Sequence, residues 1–525
     1  MPSKRTFVKH VFGGGWSTDF GPNANVAIQG GQALLPFLVD AQNVSYELDG
    51  GPHKIGGTTK LNSSAVESGA VIKGLYDFWI SGTGGSSTQK RIIYVNDSIY
   101  KDDADGSFDQ IKSGLETDKV VNFSTFDDLL LIATDSTTDV PMSWDGSTFQ
   151  SLSGNPPNFA FSVKHKNRQW ASGNAAAPSI LYYSVNVDPE DWVGSGSGSI
   201  QIDPDDGDRI TAIASYKNEL WVFKGPYKGS IHRITGSAPT GDDAFARNTF
   251  IEGVGAVSQS MVFTYRDDLA FMWSDGTLRS LKATASFGDF NEVALSRPIT
   301  TWLQDHLNFG RLKHGWAINS SSKGEALLSV AIDGSTNNNC MLSMDYRFEP
   351  VRWALWDAFE FGAIAEVIDS ASSDRRIVMS GGNDGFVRKL YQSTRSIDGD
   401  TAISTVVTTP FLDYGDPLRL KTVSAASCAI APKNTGNVTF GWQNDNNAQQ
   451  TQTFTQGGGA ALDSFVLGTD VLGGSRFVDR FIPLETGGSF RAIQYQIAHS
   501  TNNEDLEFHN IGAQLEGDSE SLENG

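Results

Sequence analysis

The chain has 525 residues, 39% of them hydrophobic, and a formal net charge of −21 from 40 Lys+Arg against 61 Asp+Glu. That length and apolar content exclude a disordered chain and leave room for more than one domain. The acidic balance excludes generic electrostatic binding of nucleic acid, which needs clustered Lys and Arg, although an acidic wall suits a channel past which DNA slides without sticking.

The N-terminus, Met1-Pro2-Ser3-Lys4-Arg5, is basic, but no apolar stretch of a secretion signal follows before Gly13-Gly14-Gly15. No run approaches the ~20 apolar residues of a membrane helix. The expectation is a soluble chain with no stable membrane insertion. Cys340 and Cys428 are too few for a disulfide framework or a zinc site and read as two buried thiols of a protein made in a reducing compartment. Residues 1–69 read as an N-terminal arm with a few strands. Its brief apolar patches are Phe12 to Trp16, Leu34 to Val39 and Asn43 to Tyr46, and their aromatics must pack on the chain's own body or on a neighbouring subunit.

From 70 to 400 a pattern recurs seven times: a polar or turn-forming pair, a short apolar run, a loop and a second β-rich run. The pairs are Lys90-Arg91, Asp127-Asp128, Asn167-Arg168, Asn218-Glu219, Asp267-Asp268, Gly324-Glu325 and Asp374-Arg375, spaced 37 to 57 residues apart. Runs such as Leu129 to Ile132 and Leu220 to Phe223 follow them directly. This is the scale of a four-stranded propeller blade and predicts an all-β propeller body of about seven blades. Asp145-Gly146, Asp275-Gly276, Asp333-Gly334 and Asp384-Gly385 are the expected hairpin turns, because Asp and Gly tolerate positive φ.

One segment breaks the β pattern. Ser296 as a cap, Pro298 in the first turn and the stripe Ile299, Trp302, Leu303 and Leu307 predict a short helical insertion near 296–309, ended by Gly310. Residues 401–515 alternate in strands such as Val438 to Trp442 and Phe490 to Ile497, between Asn-, Gln- and Gly-rich loops, and predict a β-sandwich. The acidic stretch 516–525 is expected to be a disordered tail.

The search for chemistry returns structural readings. Ser143 to Phe149 looks similar to the Asp-box turn of sialidase-like propellers, but its glycine comes one residue early, and Trp273 to Thr277 departs as well; an Asp-Gly hairpin explains both. Asp203-Pro204-Asp205-Asp206-Gly207-Asp208 has the oxygen density of a Ca²⁺ loop without its spacing or distal Glu, and reads as a solvated turn. Asp102, Asp103 and Asp105 form a weaker version of the same cluster. The eight histidines show no H-E-x-x-H spacing, and the chain has neither a phosphate loop nor a G-x-S-x-G elbow. No residue is assigned as catalytic, cofactor-binding or metal-ligating, and no cofactor or enzymatic activity is expected.

Leu38-Val39-Asp40-Ala41-Gln42-Asn43-Val44, with the glycine turn and basic loop from Gly50 to Gly57, resembles the opening segment of the nozzle (tail-tube) proteins of short-tailed bacteriophages. Lys54-Ile55-Gly56 stands where that family has a Lys-Arg-Pro-Gly type run. Gly253 to Val262, leading into Asp268 to Leu278, is similar to the family's Gly-x-x-(small)-x-x-Ser stretch followed by a strand and an Asp-Gly turn. The helical insertion and a sandwich opening near Thr409 to Asp413 fit the same pattern. The resemblance implies a structural virion protein of the tail, assembled in the host cytoplasm as a homo-oligomeric, hexameric ring. Such a ring would extend the DNA-ejection channel from the portal and adaptor, near spikes or fibres, with DNA passing through the lumen without sequence-specific binding. The competing readings are a receptor- or glycan-binding adhesin and, behind it, a glycan-cleaving enzyme.

Overall fold

The computed structural model describes residues 5–12, 14–18, 28–29, 32–33, 37–48, 50–82, 86–287, 294–370, 375–414, 418–431, 436–445, 448–456, 478–484 and 489–517. Glu516 and Gly517, the first residues of the predicted disordered tail at 516–525, instead end the strand Phe508–Gly517, paired with Thr422 and Lys421; the rest of that tail, the patch at 34–36 and Asp374 lie outside the described residues. The chain is all-β and gathers into two compact units. One comprises Lys60–Met341 and Phe359–Leu390; the other comprises Met1–Thr59, Leu342–Ala358 and Tyr391–Gly525.

The first unit is a series of antiparallel meanders. Four of them have four strands each: Ile72–Ser81, Ser87–Val95, Ser98–Asp102 and Phe108–Lys112; Val121–Phe126, Leu129–Thr134, Met142–Trp144 and Phe149–Ser151; Phe161–His165, Arg168–Ser172, Ile180–Tyr183 and Gly198–Gln201; Arg209–Tyr216, Glu219–Gly225, Ser230–Thr235 and Ala246–Glu252. A three-stranded fifth sheet follows (Val262–Tyr265, Asp268–Met272, Leu278–Ser280), then the hairpin Trp316–Ser320 with Glu325–Val330, then Phe361–Ile368, Arg376–Gly382 and Val387–Gln392. Their first strands are neighbours in turn. Ile72–Ser81 packs on Val121–Phe126, that strand on Phe161–His165, and that on Arg209–Tyr216; Val262–Tyr265 packs on Trp316–Ser320, then Phe361–Ile368, which returns to Ile72–Ser81. Between the fourth and fifth sheets the Gln259 amide completes the circuit. Its Nε2 donates to Ile213 O at 2.9 Å and its Oε1 accepts from Ile213 N at 2.8 Å, as a strand neighbour would. This is a β-propeller arrangement.

The sequence repeat has a simple physical origin. All seven apolar runs fall in the second strand of a sheet, which is covered on both faces; Glu325–Val330, for example, is buried along its whole length. Apolar clusters fill the gaps between adjacent sheets, such as Phe78, Tyr94, Phe123, Ile132 and Trp144 between the first and second. Each such side chain contributes about 1.5–3 kcal/mol by leaving water. Five of the introducing pairs are the hairpin turns entering that strand, with positive φ at Asp127, Asn167, Asn218, Arg266 and Gly324. Lys90-Arg91 instead lies within Ser87–Val95.

The predicted helix needs correction. Ser296 does not cap it: its Oγ accepts from Leu278 N at 2.9 Å, tying the insertion to the strand before it. A 3₁₀ turn, Arg297–Ile299, leads into a helix of only Thr300–His306, and Leu307 is already extended before a second 3₁₀ segment, Phe309–His314. Ile299, Leu303 and Leu307 are nonetheless buried, with Trp302 half-buried against His306. A helix that the periodicity missed, Leu281–Phe287, is capped locally by Ser280 and by Asp268 from the earlier strand Asp268–Met272. Asp268 accepts the Lys282 N–H (3.1 Å) and Ser280 Oγ the Ala283 N–H (3.2 Å).

Besides the two-stranded pairs Ile28–Gln29 with Gln32–Ala33, Val44–Tyr46 with Pro52–Lys54 and Ser396–Ile397 with Thr401–Ala402, the second unit holds two larger sheets. In one, Asp40–Gln42 pairs parallel with Leu355 and antiparallel with Thr405–Thr408, followed by Ile493–His499, Asn437–Asn444 and Gln450–Thr455. In the other, the order is Arg5–Val11, Phe508–Gly517, Lys421–Ile430 and Val478–Pro483. The predicted arm therefore packs on its own chain. Phe12 meets Phe508 edge-on at 5.4 Å, Tyr46 Oη donates to Trp353 O at 2.8 Å, and Trp356 Nε1 donates to Val44 O at 2.7 Å. Asn43 adopts φ 53°, which Asn tolerates; its Nδ2 reaches Asp357 (2.5 Å) and Ser404 O (2.6 Å).

Candidate functional site

A cleft of about 560 Å³ opens where the first strands of the second to fifth sheets begin, beside Val120, Phe161, Arg209 and Gln259. Its walls are set by buried polar joints. The Asp208 carboxylate accepts three successive backbone N–H groups, from Tyr227 (2.8 Å), Lys228 (2.8 Å) and Gly229 (2.7 Å). This anion-in-nest arrangement fixes the turn after Pro226, and Ser274 Oγ holds the Pro226 carbonyl at 2.7 Å. Tyr227 stands on that turn with 79% of its surface exposed. Across the cleft, Lys313 pairs with Asp135 at 2.9 Å, and Asp135 also accepts from Val120 N at 2.8 Å. Lys119 pairs with Glu116 at 2.8 Å. Arg209, an exposed residue with no ion pair among the described residues, also lines the cleft.

The insertion borders this cleft. Arg311, in Phe309–His314, makes a bidentate pair with Asp118 (2.9 and 2.7 Å), and Lys73 binds the same carboxylate. Arg311 and then Lys73 hold the Asp118 carboxyl well below the usual range. The segment thus reaches from beside the fifth sheet to the loops that start the first and second. His314, buried on it, is pushed down to about 4 by burial, with Arg311 and Lys313 adding to the effect.

The Asp203–Asp208 cluster is a turn solvated only on its outer side, at Pro204, Asp205 and Gly207. Lys224, fully buried in the neighbouring strand, points its ammonium into the loop: 2.6 Å from Asp203 O, 2.9 Å from Ile202 O, 2.7 Å from Asp206 Oδ2 and 3.4 Å from Ser179 Oγ. An internal cation thereby takes the carbonyls and carboxylate that suggested calcium. Asp203 turns outward to Arg247, with His232 Nε2 at 3.5 Å. Asp102 is likewise internal, bound to Arg91 at 3.0 Å and accepting from Asp105 N and Gly106 N. Asp103 pairs with Lys90 and Lys101, and Asp105 accepts from Ser107 N. Asp145 and Asp275 each accept from the residue two positions on, at 2.8 Å, in turns where Gly146 and Gly276 have positive φ. Among the described residues no group of three or more His, Cys, Asp or Glu side chains is placed to hold a metal. Both thiols are free and buried.

Sequence reasoning missed Lys224, Arg209 and Tyr227. Only strand pairing brings Lys224 to the acidic loop, and nothing local distinguishes Arg209 or Tyr227 from ordinary surface residues. Lys54, taken as part of a basic loop, is buried: it donates to Thr501 O at 3.0 Å, and burial pushes its ammonium down to about 8.

No protein-family model matches the chain, and no curated protein matches it. Among solved structures it is similar to YCF48 bound to D1 peptide, at 10% identity and a TM-score of 0.35 over 67% of this chain and 98% of that one. It is similar to Raptor from Chaetomium thermophilum at 7% identity and a TM-score of 0.36, over 68% of this chain and 29% of that one. An exo-beta-1,3-galactanase from Phanerochaete chrysosporium aligns over 88% of this chain and 99% of its own, at 8% identity and a TM-score of 0.26. All three scores are low, and none of these likenesses bears on function.

Proposed function

We propose that the chain is a structural subunit of the tail nozzle of a short-tailed bacteriophage, not an enzyme. In this reading it is a seven-bladed propeller joined to a β-sandwich, and a hexameric ring of copies forms part of the DNA-ejection channel. The observation that carries the proposal is what the family-like residues do: they are joints of the fold. A Cβ on Gly255 would lie 1.8 Å from Lys224 O, so only glycine lets that stretch pass between sheets. Thr211 Oγ1 donates to Ala256 O at 2.6 Å, Gln259 pairs with Ile213, and Ser260 Oγ donates to Gly315 O at 2.7 Å. In the opening segment, Asn43 ties its strand to Asp357 and Ser404.

Sheet edges support assembly. Among the described residues Val478–Pro483 is an edge strand carrying Phe481 at 73% exposure, and Gln450–Thr455 is a second, almost wholly exposed edge. Open edges with an apolar residue are natural pairing surfaces for another chain. Cryo-electron microscopy of the particle carrying the protein tests the reading. A ring of copies around the channel below the portal is the expected result; copies confined to peripheral spikes, or absent from the particle, refute it.

A further inference from the structure

We infer that the propeller cleft is a binding site for a glycan carrying one carboxylated sugar, with Arg209 as the carboxylate ligand and Tyr227 as the stacking platform. The inference is independent of the nozzle reading, since it rests on the cleft alone. Tyr227 is held out by design of its turn: the three N–H groups on Asp208 and the Ser274 contact fix the backbone while the ring stays 79% exposed. An exposed aromatic on a fixed turn loses little freedom on binding and offers an apolar face to the C–H side of a sugar ring. Next in the chain to Asp208, whose carboxylate is held by three backbone N–H groups, stands Arg209, whose planar fork matches a carboxylate in two hydrogen bonds.

The charges in the cleft choose the ligand. Lys313 is compensated by Asp135 and Lys119 by Glu116, which leaves Arg209 as the lining cation with no ion pair among the described residues. A single uncompensated cation on a chain of net charge −21 fits one carboxylate and disfavours a polyanion such as nucleic acid. Asn122 accepts from Ser162 N at 2.9 Å through its carbonyl oxygen, leaving its NH₂ as a donor for a sugar hydroxyl. The volume lies within the roughly 300–1,000 Å³ of small-ligand sites.

The test is calorimetric titration of the full chain with 3′-sialyllactose and with a glucuronic-acid-bearing xylotriose, against lactose and xylotriose as neutral counterparts. The expected result is that at least one acidic sugar binds about tenfold or more tightly than its neutral counterpart, and that Arg209→Gln removes that preference. Tyr227→Ala should weaken acidic and neutral binding alike by about tenfold. Both side chains are exposed, so both variants should melt with the parent protein, which separates lost binding from lost fold. Failure of both acidic sugars to bind, or an acidic preference that survives Arg209→Gln, overturns the inference. Tighter binding of a short oligothymidylate than of either sugar overturns it in favour of phosphate recognition.

Discussion

Replacing Lys224 by Met tests whether the acidic loop at 203–208 is organised by an internal cation. Met keeps the apolar stem and deletes only the ammonium. Two carbonyls, Ile202 O and Asp203 O, then lose charge-assisted hydrogen bonds of about 1.5–3 kcal/mol each. Asp206, 22% exposed, loses its partner but can rehydrate, so its share falls below the roughly 3–5 kcal/mol of a fully buried pair. Relief of the lysine's own desolvation offsets part of the sum. The net expectation is a loss of about 2–4 kcal/mol, read as a lower melting temperature in a thermal scan followed by tryptophan fluorescence. Lys224→Ala adds a sharper arm: the emptied, oxygen-lined space is of the kind Ca²⁺ takes, so millimolar calcium should recover part of the lost melting temperature in that variant and leave the parent unchanged. A Lys224→Met variant that melts with the parent would refute the reasoning. So would a parent protein stabilised by calcium and destabilised by chelator, because the loop would then already hold a metal.

Burial pushes His165, His314 and His499 each down to about 4. Unfolding therefore takes up protons between about pH 6.5 and pH 4. The stability these groups contribute is complete above the unfolded value and is lost as pH falls through that window, by up to about 2 kcal/mol per histidine at pH 5. Melting temperatures at pH 7 and pH 5 check this, and His314→Gln should shrink the difference by about a third, since His165 and His499 remain; a flat profile in the parent would contradict it. Gly255→Ala drives a Cβ into Lys224 O and should cost more than about 3 kcal/mol or abolish folding, whereas Gly334→Ala, at φ 78° with open space around it, should cost only about 1 kcal/mol. Chemical denaturation of both variants measures the contrast, and equal costs would show that the seam between the fourth and fifth sheets is not close-packed.

The parts of the fold legible in the sequence were those whose physics is local. A second strand covered on both faces must be a continuous apolar run, and a tight hairpin must carry residues that accept positive φ, so Leu220 to Phe223 and Asn218 announce themselves. Outer strands give no such signal. Ala246–Glu252 is exposed along nearly its whole length and reads as a polar loop until its pairing with Ser230–Thr235 is known. Leu281–Phe287 is helical because Asp268 and Ser280 cap it, one of them across 14 positions in the chain. Asp40–Gln42 has three residues and becomes a strand only between partners near 355 and 406. The candidate site was illegible for the same reason. The oxygens of the 203–208 loop could be counted, but the lysine that fills it lies one strand further on, in Glu219–Gly225.

Placement of charge also bears on what the composition means. Among the described residues eight basic side chains are buried, namely Lys54, Arg91, Arg168, Lys224, Arg279, Arg352, Arg388 and Lys421, out of 40 in the chain. Seven acidic ones are buried, out of 61. The interior thus withdraws a larger share of the cations than of the anions, and several withdrawn cations, Lys54 and Lys224 among them, bind backbone carbonyls. Among the described residues the interior takes one more cation than anion, so burial leaves the acidic balance of the chain in place, which fits the case against polyanion binding. Within the cleft, an exposed arginine with no ion pair among the described residues, beside a rigidly held tyrosine, is where recognition of a single carboxylate should be sought.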